Sequence, residues 1–251
     1  MSDRAVAENN EIIRMISGSE LYGTSSNAGG DRDEMGVFIA PPPYVIGFKE
    51  LPQYQYRTQP EGVKSGPGDL DLTIYSLRKF LKLALDGNPS ILLMLFVPDS
   101  AIIHATWEGK SLLGLKDEFV SKQAYPRFRG YLQSQHMRLT GEKKGHVPSR
   151  PELTERFGYD TKYAMHTLRL GFQGIELMET GKITLPIPSV PGDFLRGVRN
   201  GEYSYDEVIE EIEAVEAHLE ASHDKSDLPD EPNYKLVEDW SIVVHQGWWK
   251  K

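Results

Sequence analysis

Asp31 and Asp33 stand one residue apart, downstream of the segment Gly18-Ser19-Glu20-Leu21-Tyr22-Gly23-Thr24. In an extended strand, residues i and i+2 project from the same face. Two carboxylates at the head of Glu34-Met35-Gly36-Val37-Phe38-Ile39 therefore present hard oxygen ligands to one point, the donor type that Mg²⁺ selects. Gly18-Ser19 follows the apolar run Ile12-Ile13-Arg14-Met15-Ile16 as a turn, and offers backbone N–H groups and a hydroxyl to phosphate oxygens. Further on, Asp69-Leu70-Asp71-Leu72-Thr73-Ile74-Tyr75 alternates polar and apolar residues as a half-buried strand does, which puts Asp69 and Asp71 on one face. Such a set suits nucleotidyl transfer, in which two Mg²⁺ ions roughly 3.5–4 Å apart activate a hydroxyl and steady a pyrophosphate leaving group. The Asp69/Asp71 strand supplies the third carboxylate and the candidate general base. Alternation treats these two acids alike.

An isolated Asp-x-Asp more often caps a turn or faces solvent than binds metal, so the weight rests on its combination with the Gly-Ser turn and the second acidic strand. Lys162, His166 and Arg169 fall at i, i+4 and i+7 of a long helical pattern. They read either as a cationic comb for a nucleoside triphosphate tail or as surface cations beside a packed histidine. His104, His218, His223 and His245 have no spacing that suggests ligation. P-loop, Rossmann and serine-hydrolase elbow motifs do not occur, and the absence of cysteine excludes disulfides, thiolate zinc sites and cysteine nucleophiles.

The net charge of −9 argues against a protein that coats nucleic acid nonspecifically. Its distribution is uneven: from Lys122 to Arg169 ten Lys/Arg face four Asp/Glu, a net of +6 that leaves −15 for the remainder. Tyr125, Phe128, Tyr131, Phe157, Tyr159 and Tyr163 are interleaved with those cations, a composition that suits a nucleotide or a single-stranded nucleic-acid end, or else a helical surface over core aromatics. The longest apolar run, Ile91 to Val97, is too short to cross a bilayer, and the first residues lack an export signal, so a cytoplasmic, non-membrane protein is expected.

Several elements must hold these residues. Ile12–Ile16 is a short strand or a helix end. A strand from about Asp33 to Ala40 stops at Pro41-Pro42-Pro43, and 47–68 is an irregular, mobile-loop candidate. Ser76 caps a helix over Leu77–Leu85, with Leu77, Phe80, Leu81 and Ala84 on one stripe and Gly87 beyond its end. Pro89 opens the next helix. The second half is mostly helical: one or two helices in Lys110–Leu139, a break at Gly141–Pro148, a long helix from about Thr161 to Thr180, a linker or edge segment at Leu185–Pro188, and a helix to about His223. The Ser204-x-x-Glu207 capping box starts this last one, which buries Val208, Ile212, Val215 and Leu219.

At these residues the chain resembles the DNA polymerase beta superfamily of nucleotidyltransferases, within it the branch that includes the RNA-repair-associated RlaP proteins. The motifs are Gly18-Ser19-x-x-Tyr22-Gly23, Asp31-x-Asp33-x-x-Gly36-Val37, Asp71-x-x-Ile74-x-x-Leu77-Arg78-Lys79-Phe80, Gly87-Asn88-Pro89, Tyr159-x-x-Lys162-x-x-x-His166-x-x-Arg169-Leu170 and Asn200-Gly201-Glu202-Tyr203. The resemblance implies Asp31, Asp33 and Asp71 as Mg²⁺ or Mn²⁺ ligands, choosing Asp71 over Asp69. It implies Gly18 and Ser19 as the triphosphate turn and Lys162 and Arg169 as phosphate contacts. The branch usually has Ser-Asp where this chain has Gly30-Asp31, and an acid where Met94 stands; neither departure touches the three acids. The expected architecture is α/β: a nucleotidyltransferase core with a mixed sheet over residues 1–115, and a mainly helical lobe, 116–251, completing a nucleotide and acceptor cleft. The expected reaction moves an NMP from an NTP to a hydroxyl, with an RNA or tRNA end as the favoured acceptor. A noncatalytic nucleotide- or RNA-binding, antitoxin-like module and a protein-modifying AMP transferase are the alternatives.

Overall fold

Ile12, Ile13 and Met15 are wholly enclosed while Glu11, Arg14 and Ile16 are half-buried, and the run that periodicity left between strand and helix is a strand, β1 (Glu11–Ile16). The computed structural model describes residues 1–24, 31–60, 62–63, 65–142 and 150–251. These residues form two compact units, one made of Met1–Asp86, Ser90–Phe119 and Pro232–Lys251, the other of Gly87–Pro89 and Val120–Glu231.

The first unit carries a five-stranded mixed sheet in the order β3-β4-β2-β1-β5, with β2 (Arg32–Phe38), β3 (Gln53–Arg57), β4 (Leu70–Ser76) and β5 (Ile102–Ala105). β2 and β4 run parallel, and the other neighbours are antiparallel. Parallel pairing needs a crossover, here the segment that contains α3 (Pro42–Val45) and edge strand β3. β3 lies inside the stretch whose composition reads as irregular. Tyr54 and Tyr56 alternate along it and pack beside Val6, Phe38, Leu51, Leu72 and Ile74, the core beneath the sheet. Burying each such side chain contributes about 1.5–3 kcal/mol. Helix α1 (Asp3–Asn9) is capped by Ser2 and feeds β1.

Gly18-Ser19 opens a five-residue helix, α2 (Gly18–Tyr22), rather than standing as an isolated turn. Left-handed Gly23 closes it, so local capping extends the turn by one helical repeat. Ser76 caps α4 (Leu77–Leu85), its hydroxyl accepting from Lys79 N–H at 3.3 Å, and Leu77, Phe80, Leu81 and Ala84 face inward. α5 (Pro89–Leu95) buries Met94, the position where the resembling branch has an acid. α6 (Trp107–Gly114) follows β5.

In the second unit α9 (Thr161–Thr180) is central. The Asp160 Oδ1 atom accepts from the N–H groups of Lys162 and Tyr163 at 3.0 and 3.1 Å, and Gly181 ends the helix. α7 (Tyr125–Leu139), α10 (Ser189–Asn200) and α11 (Tyr205–Lys225) pack on α9, with α8 (Pro151–Phe157) beside its start. The approach of α7 and α11 depends on Gly171 and Gly174: a Cβ on Gly171 would overlap the Val215 side chain, and one on Gly174 would lie 3.0 Å from Phe128 and from Leu219. The capping box of α11 forms with both reciprocal bonds, Ser204 to Glu207 and back. The break at 141–148 falls mostly outside the described residues.

α12 (Tyr234–Trp248) belongs to the first unit, a return that the helical pattern of 116–251 does not signal. Trp248 Nε1 donates to Asn10 Oδ1 at 3.0 Å, Trp249 Nε1 to the Ala40 carbonyl at 3.0 Å, and Lys251 Nζ to Glu108 Oε1 at 2.6 Å. Among the described residues, no helix is long and apolar enough to cross a membrane.

Candidate active site

The parallel register of β2 and β4 sets Asp33 directly beside Asp71. Asp31 precedes β2 by one residue and lies two positions from Asp33, so the strand pleat returns it to the same face. One carboxylate oxygen from each of Asp31, Asp33 and Asp71 lies within 4.8 Å of the other two, and all three residues are half-buried. Unit charges about 4 Å apart repel by about 4 kcal/mol at the effective dielectric of a protein surface, so three carboxylates this close favour a cation among them. The donor set is entirely hard oxygen and fits Mg²⁺ or Mn²⁺. Glu34, next to Asp33, points away by the same alternation. It is buried against Arg32 Nε at 2.7 Å and Arg14 Nη1 at 3.6 Å, in a separate ion network that also holds Glu11.

Gly18 touches this group. Its φ of +67° lies in the left-handed region, and a Cβ added there would overlap the Asp33 carboxylate, standing 2.8 Å from its Cγ. Ser17 N–H donates to the Asp33 carbonyl at 2.9 Å, which ties the start of α2 to β2 at that residue. The first turn of a helix leaves N–H groups without intrahelical acceptors, so Gly18 and Ser19 bring donors to the edge of the acidic group. Gly30, the other departure from the resembling branch, lies outside the described residues.

Asp69 and Asp71, indistinguishable by alternation, have different surroundings. Asp69 closes the loop that precedes β4: its carboxylate accepts from Thr58 Oγ1 at 2.9 Å and from Gly66 N–H at 2.9 Å. Asp71 joins Asp31 and Asp33. Its Oδ1 accepts from Arg57 Nε at 2.8 Å and Gln59 Nε2 at 3.2 Å, its Oδ2 from Ser65 Oγ at 2.7 Å, and Arg57 Nη2 also reaches Ser65 Oγ at 3.0 Å. Burial works to raise the pKa of Asp71, but the hydrogen bonds from Arg57, Ser65 and Gln59 and the Arg57 charge outweigh it and hold the carboxyl below its ordinary value. Arg57 is set opposite Asp71 by the β3/β4 register. Sequence reasoning missed Arg57, Gln59 and Ser65; the signal available was the Tyr54/Tyr56 alternation that makes Gln53–Arg57 a strand.

Lys162, His166 and Arg169 are together on α9 in the second unit, as their spacing requires, and Arg150 and Arg199, which the sequence did not single out, act on the same histidine. Burial first, then the charges of Arg169, Lys162, Arg150 and Arg199, push His166 down to about 3, so the imidazole is neutral at physiological pH. Arg169 is buried and donates from Nη1 to Gln173 Oε1 at 2.7 Å.

A mixed sheet of this order in one unit, with a second unit that is helical, is the fold of a polymerase beta-like nucleotidyltransferase. The family described as the RNA repair pathway DNA polymerase beta family, RlaP, matches residues 5–242, and the chain belongs to this family of nucleotidyltransferases. It is similar to an uncharacterized 38.9 kDa protein encoded in the nrdC-mobD intergenic region of Enterobacteria phage T4, with 30% identity over 94 residues. That match spans 38% of this chain and 28% of the phage protein. A solved nucleotidyltransferase-like protein from Exiguobacterium sibiricum 255-15 aligns with 88% of this chain and 71% of its own, at 11% identity and a TM-score of 0.31.

Proposed function

We propose that the protein transfers a nucleoside monophosphate from an NTP to a hydroxyl at an RNA or tRNA end, with Mg²⁺ or Mn²⁺ held by Asp31, Asp33 and Asp71. The observation that carries this reading is the β2/β4 register, which brings the third carboxylate to the Asp-x-Asp pair. A bound divalent ion supplies charge neutralisation at the phosphoryl oxygens and lowers the pKa of a coordinated hydroxyl. Asp31 and Asp33 contribute fixed negative charge on one strand face. Asp71 is the candidate base, taking the acceptor proton on a carboxylate oxygen. Its depressed pKa makes it a weaker proton acceptor than a free carboxylate, so orienting the hydroxyl by accepting its hydrogen bond is the larger part of its work. Gly18 and Ser19 offer backbone and hydroxyl donors to the phosphates; in the second unit Lys162 and Arg169 are cations of the kind that phosphate recognition uses, Lys as a point charge and Arg as a fork.

The test is incubation of the purified protein with each labelled NTP, Mg²⁺ or Mn²⁺ and a pool of small RNAs, beside the variant Asp31→Ala/Asp33→Ala. Label on RNA with the intact acids alone supports the reading and names the nucleotide. Label on protein replaces the acceptor with a polypeptide side chain. Metal-dependent NTP binding with no transfer to either makes the protein a binding module.

A further inference from the structure

Helices α4 and α12 of the first unit leave a cavity of about 840 Å³ between them, lined also by Val45 and Ile46 at the end of α3. Leu81 and Leu85 from α4 and Val237 and Ile242 from α12 make its walls apolar. Pockets that enclose a small molecule measure roughly 300–1,000 Å³. A second cavity of about 340 Å³ adjoins it and shares Val45, Arg78, Lys82 and His245. The acidic group takes no part in either: Asp71 stands near the start of β4, whereas α4 leaves the end of that strand.

His245, common to both cavities, is 7% exposed. Its Nδ1 lies 2.7 Å from the Ser241 carbonyl, which can only accept, so that nitrogen carries the ring proton. Burial, helped by the Arg78 charge and opposed by the Ser241 bond, holds the imidazole below its ordinary pKa, and the ring is neutral at physiological pH. Nε2 is then a bare acceptor. It is buried and, among the described residues, has no hydrogen-bond partner. A buried acceptor of this kind is stabilised by a donor brought from outside.

Arg78 and Lys82 stand one turn apart on α4, both exposed. Arg78 Nη1 donates to the Val45 carbonyl at 3.4 Å, and among the described residues neither cation forms an ion pair. Asp86 and Glu238 line the larger cavity and Glu50 the smaller, but no acid is common to the two. The junction therefore offers two cations at its mouth, an acceptor at its base and apolar walls beside them.

We propose that this cavity binds a small aromatic acid, with its carboxylate on Arg78 and Lys82, its ring among Leu81, Leu85, Val237 and Ile242, and a phenolic O–H or indole N–H donating to His245 Nε2. Phenol and indole join an apolar ring to one donor at its edge, the combination that a dry acceptor beside apolar walls selects. Trp249 also lines the cavity, its ring meeting that of His245 edge-on with 5.5 Å between centres, and adds an aromatic surface. A ring without the donor leaves Nε2 unpaired, and an amine in place of the carboxylate meets two like charges. This site is independent of nucleotidyl transfer.

Calorimetric titration of the full-length protein with para-hydroxyphenylpropanoate, phenylpropanoate and tyramine isolates each contact, since the second ligand lacks the hydroxyl and the third carries an amine in place of the carboxylate. The hydroxy acid is expected to bind about tenfold or more tightly than either of the others. Arg78→Gln/Lys82→Gln, at exposed positions, should erase its advantage over tyramine and keep its advantage over phenylpropanoate. His245→Phe should do the reverse. Asp31→Ala/Asp33→Ala should bind the hydroxy acid as the wild type does. No binding by the wild type, equal affinity for phenylpropanoate or for tyramine, or an undiminished advantage over tyramine in the Arg78→Gln/Lys82→Gln variant would each overturn the proposal. Binding lost in Asp31→Ala/Asp33→Ala would place the ligand at the acidic group and overturn it as well. If His245→Phe fails to fold, the three ligands on the wild type and on the exposed-cation variant decide.

Discussion

Replacing Gly18 by alanine separates backbone strain from disturbance of the acidic group. At φ +67° an alanine carries a penalty of about 1–2 kcal/mol from the left-handed conformation alone. Gly158, at φ +84° with nothing within 4 Å of an added Cβ, supplies the control, since Gly158→Ala meets that penalty and no clash. At about 2–4 °C per kcal/mol for a chain of this size, Gly158→Ala should melt about 2–8 °C below wild type and Gly18→Ala at least as far below it. They should part in their response to metal. A divalent ion at a hundred times its dissociation constant stabilises the folded state by about 2.7 kcal/mol, or about 5–11 °C on the same scale. Gly158→Ala should retain that increment. Gly18→Ala should lose most of it, because the new methyl takes the space of the Asp33 carboxylate. The assay is thermal melting with and without Mn²⁺. A full metal increment in Gly18→Ala would refute the placement of Asp33 in the metal seat, and no increment in the wild type would refute the seat itself.

Three further outcomes follow from described contacts. Because His166 has a folded pKa of about 3 against an ordinary 6.5, the unfolded chain takes up a proton that the folded one refuses. Stability should fall as pH drops from about 6.5 toward 3, and His166→Gln should flatten that part of a urea-unfolding pH profile. The depressed carboxyl of Asp71 contributes stability that is fully present above its unfolded pKa and is lost as pH falls through the folded value; Arg57→Gln removes the ion pair, brings the folded value toward the unfolded one and should flatten the acid limb of the same profile. Gly171→Ala should destabilise by about 1–3 kcal/mol through overpacking against Val215, whereas Gly130→Ala, in open space on α7, should stabilise by about 0.5–1 kcal/mol, both measured by urea unfolding.

The parts of this molecule written in local chemistry are readable from its sequence. Asp160 and Gly181 bracket α9, Ser204 and Glu207 start α11, and Ser76 starts α4, each through bonds between near neighbours in the chain. The parts set by distant partners are not. β3 exists because β4 is there to pair with it, and only that pairing brings Arg57 to Asp71. The choice between Asp69 and Asp71 has the same character, since alternation is blind to Thr58 and Gly66, whose bonds occupy Asp69 in the loop. Arg150 and Arg199 reach His166 from segments far from it in sequence, and no periodicity links them to α9. α12 is not singled out by the sequence pattern, and it is placed by the bonds of its terminal indoles to Asn10 and Ala40, far from it in the chain.

The return of α12 bears on the order in which the protein is made. A ribosome releases Ile12, Asp33 and Asp71 first, yet the helix that packs with their unit follows only after the whole helical unit has emerged. Apart from Gly87–Pro89 the helical unit is one segment, Val120 to Glu231, and can assemble while translation continues; the sheet unit waits for Trp248 and Trp249. A product that stops short of α12 would have every acid of the candidate site and lack the helix that completes their unit. Synthesis through α12 thus becomes a condition for completing the sheet unit, an order imposed by connectivity alone.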